Sequence, residues 1–341
     1  MAGNDLWKYC EAMEAEDVLR SFHLLEGTGV SDEKYLACLY AVSNHTEKHY
    51  HTAVIQKKNG GMRKLSVPDT LLRTIQRNIV KNVLCERSVS QYATAYRKKA
   101  SVMENARPHV GAEMVMKLDI KDFFDCITFQ MVYQYAFPAI YYPPSIRMLL
   151  TSLCCRNDCL PQGAPSSPAI SNLAMRSFDE YMGAWCGERQ MQYTRYCDDL
   201  TFSGTFDQKE VKQKVRNFLH VLGFELNRKK TRVQDQSHRQ TVTGLVVNEK
   251  MQVSREYRNQ LRAEIYYCQK YGVTSHLNKM GNPAWMREDE PDVERYLQYL
   301  LGKINYVLAV NPHDDYFCKK REELSLMVRE ISTRSNTLEC V

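Results

Sequence analysis

Two adjacent acids, Asp198 and Asp199, interrupt a segment that is otherwise apolar enough to be buried, residues 191–204 (MQYTRYCDDLTFSG). The pattern on either side predicts two strands joined by a tight turn at Cys197–Asp198. Burying two like charges costs several kcal/mol unless a positive group neutralises them. A third acid, Asp119, ends another short apolar run, MVMKLDI, which we expect to be a buried strand. If the strands are neighbours in one sheet, the three acids share one edge of it.

Carboxylate oxygens at one sheet edge are suitable ligands for a hard divalent cation. Mg²⁺ prefers such ligands, and two ions about 3.5–4 Å apart promote in-line phosphoryl transfer. The acids therefore predict a site for two Mg²⁺ ions, in which Mn²⁺ is expected to substitute. The alternative is an ordinary surface turn, which is the commoner setting of an isolated pair of acids.

Composition excludes several other classes of protein. The 341 residues are 44% apolar and 25% charged, as in a globular protein of two or three domains and unlike a disordered or small disulfide-bonded chain. The sequence has no run of 18 apolar residues that would predict a membrane span, and residues 1–20 lack a signal-peptide pattern. We therefore expect a cytoplasmic protein with free thiols and no membrane partner.

Positive charge is concentrated in two segments. Residues 57–99 carry eleven Lys or Arg and two acids, and residues 209–232 carry eight Lys or Arg and two acids. A single basic run is commonly a solvated face. Two runs that flank the candidate acids favour a polyanionic partner such as nucleic acid.

Periodicity and turn signals predict the elements of the chain. We expect a hairpin over 52–68 around Asn59-Gly60-Gly61, strands over 114–120, 224–233 and 240–247, and no strand beyond about residue 250. The helices are expected over 5–25, 32–44, 69–87, 129–137, 207–222, 254–271, 291–310 and 314–333, with Asp69 and Thr128 as caps. A further helix is expected to follow the Gly/Pro/Ser loop in LPQGAPSSPAISNLAM and to run to about residue 186.

Five sequence blocks between residues 50 and 250 occur in a characteristic order: KLDIKDFFDCI, LPQGAPSSP, YCDDLTFSG, GFELNRKKT and VTGL. This series resembles the motifs of reverse transcriptases. The resemblance implies an α+β, right-hand polymerase fold with fingers, a palm built on a small antiparallel sheet, and a helical thumb. We assign residues 1–110 to N-terminal helices and fingers, which also include about 140–185. Residues 111–250 are assigned to the palm and 251–341 to the thumb and RNA-binding region.

The resemblance also implies catalytic roles. Asp119, Asp198 and Asp199 match the catalytic carboxylates, and the backbone carbonyl of Ile120 would also face a metal ion. Lys230 resembles the general acid that protonates the leaving pyrophosphate, although simple contact with phosphates is an equal alternative.

Four residues match a pocket for the incoming nucleotide. Lys57 and Arg63 would grip the triphosphate, which Arg can do with two hydrogen bonds. Phe124 would exclude a ribose 2′-OH, and Gln162 would line the pocket. Alternation along an extended segment allows only one of Phe123 and Phe124 to point into the core.

Two short motifs narrow the resemblance to bacterial retron reverse transcriptases: NAxxH at 105–109 and VTG at 242–244. The alternative for the first motif is a helical turn that serves packing. The tyrosines at 257, 266, 267 and 271 could stack on bases, although we expect most of them to pack inside. Candidate nucleic-acid contacts are Asn105, His109, Tyr196, Val242, Thr243, Gly244, Arg255, Arg258 and Arg262.

Membership of that family implies an RNA-directed DNA polymerase that uses dNTPs. It would copy a cognate structured non-coding RNA of the msr–msd type from a guanosine 2′-OH, giving branched multicopy single-stranded DNA. A retron effector protein would be its partner in antiphage defence. One alternative is another bacterial defence or group II-like enzyme primed from a 3′ end. Another is an inactive polymerase fold that serves as an RNA-binding scaffold, against which the presence of all three acids, Arg63 and Gln162 counts.

Overall fold

The structure, a computed structural model, describes residues 12–56, 60–288 and 290–338. The chain divides into two compact units. One comprises Met1–Pro108 and Glu113–Gln234, and the other comprises His109–Ala112 and Asp235–Val341. The division into fingers, palm and thumb stays a prediction. Across the described ranges, no helix is both long and apolar enough to cross a membrane.

The elements up to residue 235 alternate between helices and two small sheets. The strands are β1 (Tyr50–Gln56), β2 (Met62–Pro68), β3 (Met114–Asp119), β4 (Gln192–Tyr196), β5 (Asp199–Gly204) and β6 (Arg232–Asp235). The helices are α1 (Ala12–Ser21), α2 (Tyr35–Asn44), α3 (Thr70–Asn78), α4 (Val102–Ala106), α5 (Phe129–Met131), α6 (Pro144–Cys154), α7 (Ser167–Ala174), α8 (Arg176–Gly187) and α9 (Gln208–Val221).

A four-stranded sheet in the order β4-β5-β3-β6 carries the predicted acids. β5 pairs with β3 and with β4, in both cases antiparallel. Because alternate residues of a strand face the same side of the sheet, β3 and β5 supply buried apolar side chains to one face, among them Met116, Leu118, Leu200 and Phe202. The expectation that the strands carrying Asp119 and Asp199 are neighbours in one sheet is confirmed.

The hairpin and the two helix caps predicted in this unit are confirmed. β1 and β2 form the predicted antiparallel hairpin, in which Gln56 pairs with Met62. The Asp69 carboxylate accepts from the Leu72 N–H at 2.9 Å and caps α3, which continues as a π-helical segment, Ile79–Leu84. The Thr128 hydroxyl likewise accepts from the Met131 N–H.

Two predictions in this unit are wrong. The helix expected up to residue 186 is two helices, α7 and α8, separated at Met175. The strand expected over 224–233 is mostly a turn, because the Asn227 side chain accepts from the Lys229 N–H and favours the 3-10 segment Arg228–Lys230.

The second unit is mainly helical. A three-stranded sheet joins β7 (Thr241–Val242), β8 (Leu245–Val246) and β9 (Gln252–Val253). A hairpin joins β10 (Met286–Arg287) and β11 (Glu290–Pro291). The helices are α10 (Arg255–Tyr271), α11 (Val273–Met280), α12 (Val293–Val310) and α13 (Asp315–Leu338).

The prediction that strands end near residue 250 is therefore wrong, and α11 was not predicted. The β10 and β11 strands are two residues each, too short to show alternation. Gly272 and Gly281, with φ of 80° and 58°, end α10 and α11, so that the chain makes two short turns where the sequence suggested one loop.

Candidate active site

The register of the central sheet brings the three acids to one edge. Asp119, the last residue of β3, is the Cα partner of Asp199, the first residue of β5. Asp198 lies in the turn just before, and its carbonyl accepts from the Ile120 N–H at 3.0 Å. Asp119 is 5% exposed, whereas Asp198 is half-buried and Asp199 is exposed. The site therefore has one buried and two accessible carboxylates.

The turn that carries Asp198 is held by a buried side chain. Cys197 adopts φ of 61°, and its carbonyl accepts from Arg195 Nη1 at 3.0 Å. The Arg195 guanidinium also makes two bonds to the Asp179 carboxylate, at 2.8 and 2.6 Å, and both side chains are fully buried. Asn172 Oδ1 and the Tyr193 hydroxyl complete the network, by accepting from Arg195 and donating to Asp179. The network ties the turn to α7 and α8.

Negative charge accumulates at this edge. Although Asp199 is exposed, enough protein surrounds it that desolvation, followed by the charges of Asp198 and Asp119, raises its pKa to about 6. Burial also raises the pKa of Asp119, and the bond from Lys230 offsets only part of that rise. The carboxylates are therefore under-neutralised by the protein.

Lys230 is the nearest cation to the buried acid. Its Nζ lies 2.6 Å from Asp119 Oδ2, and its side chain is 58% exposed. Desolvation lowers the pKa of Lys230, but the bond and the neighbouring carboxylates raise it overall. Asn227 donates its backbone N–H to the Asp119 carbonyl at 2.7 Å, so the turn before Lys230 is attached to the end of β3.

The oxygen donors of the site suit Mg²⁺, although their side chains are not gathered around one point. Among the described residues, no group of three or more His, Cys, Asp or Glu side chains is gathered as a ready ligand set. The Asp119 carboxylate is instead bonded to Lys230. The donors are hard oxygens, and the raised pKa of Asp199 reflects desolvation and then repulsion from the neighbouring acids, both of which a divalent cation would offset. Asp119, Asp198 and Asp199 are the residues that would hold it.

The predicted nucleotide pocket is described in part. Arg63 lies exposed on β2, and Lys57 lies outside the described residues. The Gln162 carbonyl accepts from the Ser66 N–H at 2.8 Å, which fixes the following loop against the same strand. Gly163 has φ of 120°, and a Cβ there would lie 2.8 Å from the Ser66 carbonyl oxygen. Only glycine fits this approach.

The structure separates the roles of the two adjacent phenylalanines. Phe123 is buried and packs on Phe224, with ring centroids 6.0 Å apart. Phe124 is half-buried, with its ring 5.3 Å from that of Phe123. The expectation that one of the two belongs to the core is confirmed, and Phe124 is left as the accessible ring.

The NAxxH residues are internal, which favours the packing alternative. Asn105 is 1% exposed, and its Oδ1 accepts from the Thr94 hydroxyl at 2.6 Å. His109, in the second unit, is buried, and desolvation lowers its pKa to about 3. We therefore do not propose direct RNA contacts for these two side chains.

The VTG motif is a hairpin turn. Val242 is buried in β7 and pairs with Leu245 of β8. Thr243 and Gly244 between them have φ of 45° and 85°, the two positive values that a type I′ turn requires. The motif is thus explained by backbone geometry, and contact with RNA stays a prediction.

The remaining candidates differ in exposure. Tyr196 is half-buried beside the acids, and Arg255 is exposed. Arg258 is half-buried, and the Arg262 guanidinium lies over the rings of Tyr316 and Phe317, at 5.1 and 5.5 Å.

The expectation that most tyrosines of α10 pack inside is wrong. Tyr266, Tyr267 and Tyr271 are 52%, 46% and 55% exposed. The buried stripe of the helix consists instead of Leu261, Ile265 and Cys268.

Sequence reasoning missed the residues that support the acids. Arg195 was a recognisable signal, because a charged residue inside an apolar strand requires a buried partner. Asp179 and Asn172 were not, since nothing local distinguishes them from surface residues of a helix. Asn227 became visible as a partner of Asp119 only through the fold.

Comparison with known proteins identifies the family of this chain. The model of the reverse transcriptase (RNA-dependent DNA polymerase) family matches residues 55–247. The Retron Ec86 reverse transcriptase of Escherichia coli is 33% identical over 305 residues, which cover 86% of this chain and 92% of that protein. The Retron Mx65 reverse transcriptase of Myxococcus xanthus is 32% identical over 78% of this chain and 62% of its own length.

Among solved structures, telomerase from Candida albicans with a TWJ fragment of telomeric RNA matches with a TM-score of 0.45 and 12% identity. The match covers 87% of this chain and 63% of that chain. The family match and the retron relatives show that the chain has a right-hand polymerase fold and belongs to the reverse transcriptases, which are RNA-directed DNA polymerases. Among these it belongs to the reverse transcriptases of bacterial retrons.

Proposed function

We propose that this enzyme copies a structured non-coding RNA of the msr–msd type into DNA, starting from the 2′-OH of a guanosine in that RNA. The product would be a branched RNA–DNA hybrid, multicopy single-stranded DNA. The observation that carries the polymerase chemistry is the pairing of Asp119 with Asp199, beside the turn that holds Asp198.

The acids would hold two Mg²⁺ ions, for which Mn²⁺ is expected to substitute. When bound, such ions activate the attacking hydroxyl and stabilise the leaving pyrophosphate. The protein's part is to keep the carboxylates in place, which the Arg195 network does by fixing the Cys197–Asp198 turn. Activation of the attacking hydroxyl and stabilisation of the leaving pyrophosphate would serve both the first addition, to a 2′-OH, and all later additions, to a 3′-OH.

Side chains around the acids would select and orient the nucleotide. Arg63 and Lys57 would bind the triphosphate, and Gln162 would line the pocket. Phe124 presents an accessible ring next to the core, as a barrier to a ribose 2′-OH requires. Lys230 is protonated at neutral pH, as a lysine ordinarily is, and it would donate a proton to the departing pyrophosphate. Its raised pKa comes from its bond to Asp119 and the neighbouring carboxylates, so the donation requires that bond to break first.

The named relatives are retron enzymes, which supports a retron role here. We place that role in the cytoplasm. That role would pair the enzyme with its own RNA and with an effector protein, in antiphage defence.

The test uses cells that express the gene with its native flanking DNA. Total nucleic acid is separated before and after treatment with RNase and with a 2′,5′-debranching enzyme, and Asp199→Asn is the control. We expect a short DNA that shifts with both treatments and is missing from the control. A DNA product that is insensitive to debranching would overturn 2′ priming and assign a 3′-primed enzyme. No DNA, together with RNA that co-purifies with the protein, would assign an inactive scaffold.

A further inference from the structure

Two exposed tyrosine rings and a half-buried histidine ring gather where α10 meets α11. The ring of Tyr267 stacks on that of Tyr271, with centroids 6.3 Å apart and planes 23° apart. It also stacks on His276, at 5.8 Å and 18°. We call Tyr267, Tyr271 and His276 the aromatic cluster. Three nearly parallel rings form a platform that a further flat ring can extend.

A cavity of about 460 Å³ lies beside these rings, lined by Tyr267, Tyr271, Ser275, His276, Lys279 and Met280. Its volume is within the roughly 300–1,000 Å³ of sites for small organic groups. The lining is flat rings with few aliphatic side chains, which suits a planar ligand better than an apolar peptide side chain.

The charges around the cluster favour an anion. Lys270 Nζ lies 5.1 Å from the centroid of the Tyr271 ring, and Lys279 lines the cavity. Among the ion pairs of the described residues, none includes Lys270 or Lys279. The nearby carboxylate of Glu264 is neutralised by Lys303 at 2.7 Å. Two cations without a carboxylate partner beside stacked rings match a nucleotide, which combines a phosphate with a planar base.

We propose that the aromatic cluster binds an unpaired base of RNA, with Lys270 and Lys279 contacting the adjacent phosphates. The assignment rests on the proposed RNA-copying function and adds to it a single-stranded recognition site, separate from the carboxylates. A duplex cannot use the site, because its bases are already stacked on each other.

Base stacking on an aromatic side chain contributes enough that its removal weakens binding roughly 5- to 150-fold. The variants are Tyr267→Leu and Tyr271→Leu in the full chain, and Tyr271→Phe retains the ring. Tyr40→Leu is the matched control, since Tyr40 is a helical tyrosine of 47% exposure, close to the 46% of Tyr267. Circular dichroism establishes that each variant is folded.

The probes are a 12-nucleotide single-stranded RNA that contains 4-thiouridine and a blunt RNA duplex of equal length. Affinity is measured by fluorescence anisotropy, and crosslinked peptides are mapped by mass spectrometry. We expect a crosslink within residues 267–280 with the single strand only. We also expect the stated loss of affinity in both Leu variants and wild-type affinity in Tyr271→Phe and Tyr40→Leu.

Unchanged affinity in both Leu variants would overturn the assignment and leave a protein partner as the occupant of the cluster. Equal loss in Tyr40→Leu would overturn it as well, because the effect would then be nonspecific. Primer extension on RNA by the wild-type chain is measured in parallel. If extension occurs while the affinities are unchanged, the aromatic-cluster assignment fails alone; if the wild type neither extends a primer nor binds RNA, the proposed function fails with it.

Discussion

The buried ion pair of Arg195 and Asp179 supports the turn that carries Asp198. Among the contacts of that turn, this pair is the one whose loss should reduce stability and catalysis most. The guanidinium makes two bonds to Asp179, one to the Cys197 carbonyl and one to Asn172, and no part of it reaches solvent. Arg195→Met fills a similar space but leaves the Asp179 charge buried without its partner. We predict a loss of both stability and catalysis.

The magnitude follows from burial. Removing one partner of a fully buried ion pair costs about 3–5 kcal/mol. A unit of this size loses roughly 2–4 °C in Tm per kcal/mol. Arg195→Met should therefore lower Tm by about 6–20 °C.

The double variant Arg195→Met/Asp179→Leu removes both charges and should recover much of that loss. The recovery should be incomplete, because the Tyr193 hydroxyl donates to Asp179 and would lose its acceptor.

Calorimetry of the wild type, both single variants and the double variant gives the coupling energy. Primer extension at a temperature where all four are folded gives the effect on catalysis. Arg195→Lys is the conservative control, because it keeps the charge but cannot reach all the acceptors. It should retain a larger fraction of wild-type stability than of wild-type activity. Losses in the two single variants that simply add in the double variant would refute the reasoning, as would a Tm change below about 2 °C.

Three further predictions concern the site. Phe124→Ala should raise the incorporation of ribonucleotides relative to deoxynucleotides, measured as the ratio of kcat/KM values, and an unchanged ratio would place the barrier elsewhere. Gly163→Ala should destabilise the first unit by about 1–3 kcal/mol and raise the KM for dNTPs, because a Cβ 2.8 Å from the Ser66 carbonyl forces the loop away from β2; a wild-type melting curve would contradict this. Since desolvation and the neighbouring acids raise the folded-state pKa of Asp199 to about 6, the folded chain binds the proton more tightly than the unfolded chain, and stability falls as pH rises from about 4 to 6. Asp199→Asn should therefore be more stable than wild type at pH 8 in EDTA, by about 1 kcal/mol or less given the solvent exposure of Asp199, and should show a higher Tm there. At pH 4 the variant and the wild type should have the same Tm. A lower Tm of the variant at pH 8 would contradict the predicted direction.

The features that were predictable from sequence are those with local signals. Strand alternation around Asp119 and Asp199, the Gly-Gly turn and the Asp69 cap each depend on a few adjacent residues. The pairing of β3 with β5 was only a condition of the prediction, and the register of the sheet supplied it.

The features that were missed depend on residues distant in sequence. The Arg195–Asp179 pair joins a strand to a helix, and no spacing rule connects them. The tyrosines of α10 were misjudged for a different reason. The 3.6-residue period places the buried stripe on Leu261, Ile265 and Cys268, which leaves Tyr266, Tyr267 and Tyr271 exposed.

Primer extension on an RNA template tests the central claim, that the acids at the end of β3 and β5 carry out DNA synthesis. Wild type and Asp198→Asn are compared with dNTPs and Mg²⁺, and binding of the same RNA is measured for both. We predict extension by the wild type, a loss of roughly 10³-fold or more in Asp198→Asn, and nearly equal RNA affinity, because a metal-holding carboxylate contributes several kcal/mol to phosphoryl transfer. Extension by Asp198→Asn at near wild-type rate would contradict the assignment of these carboxylates.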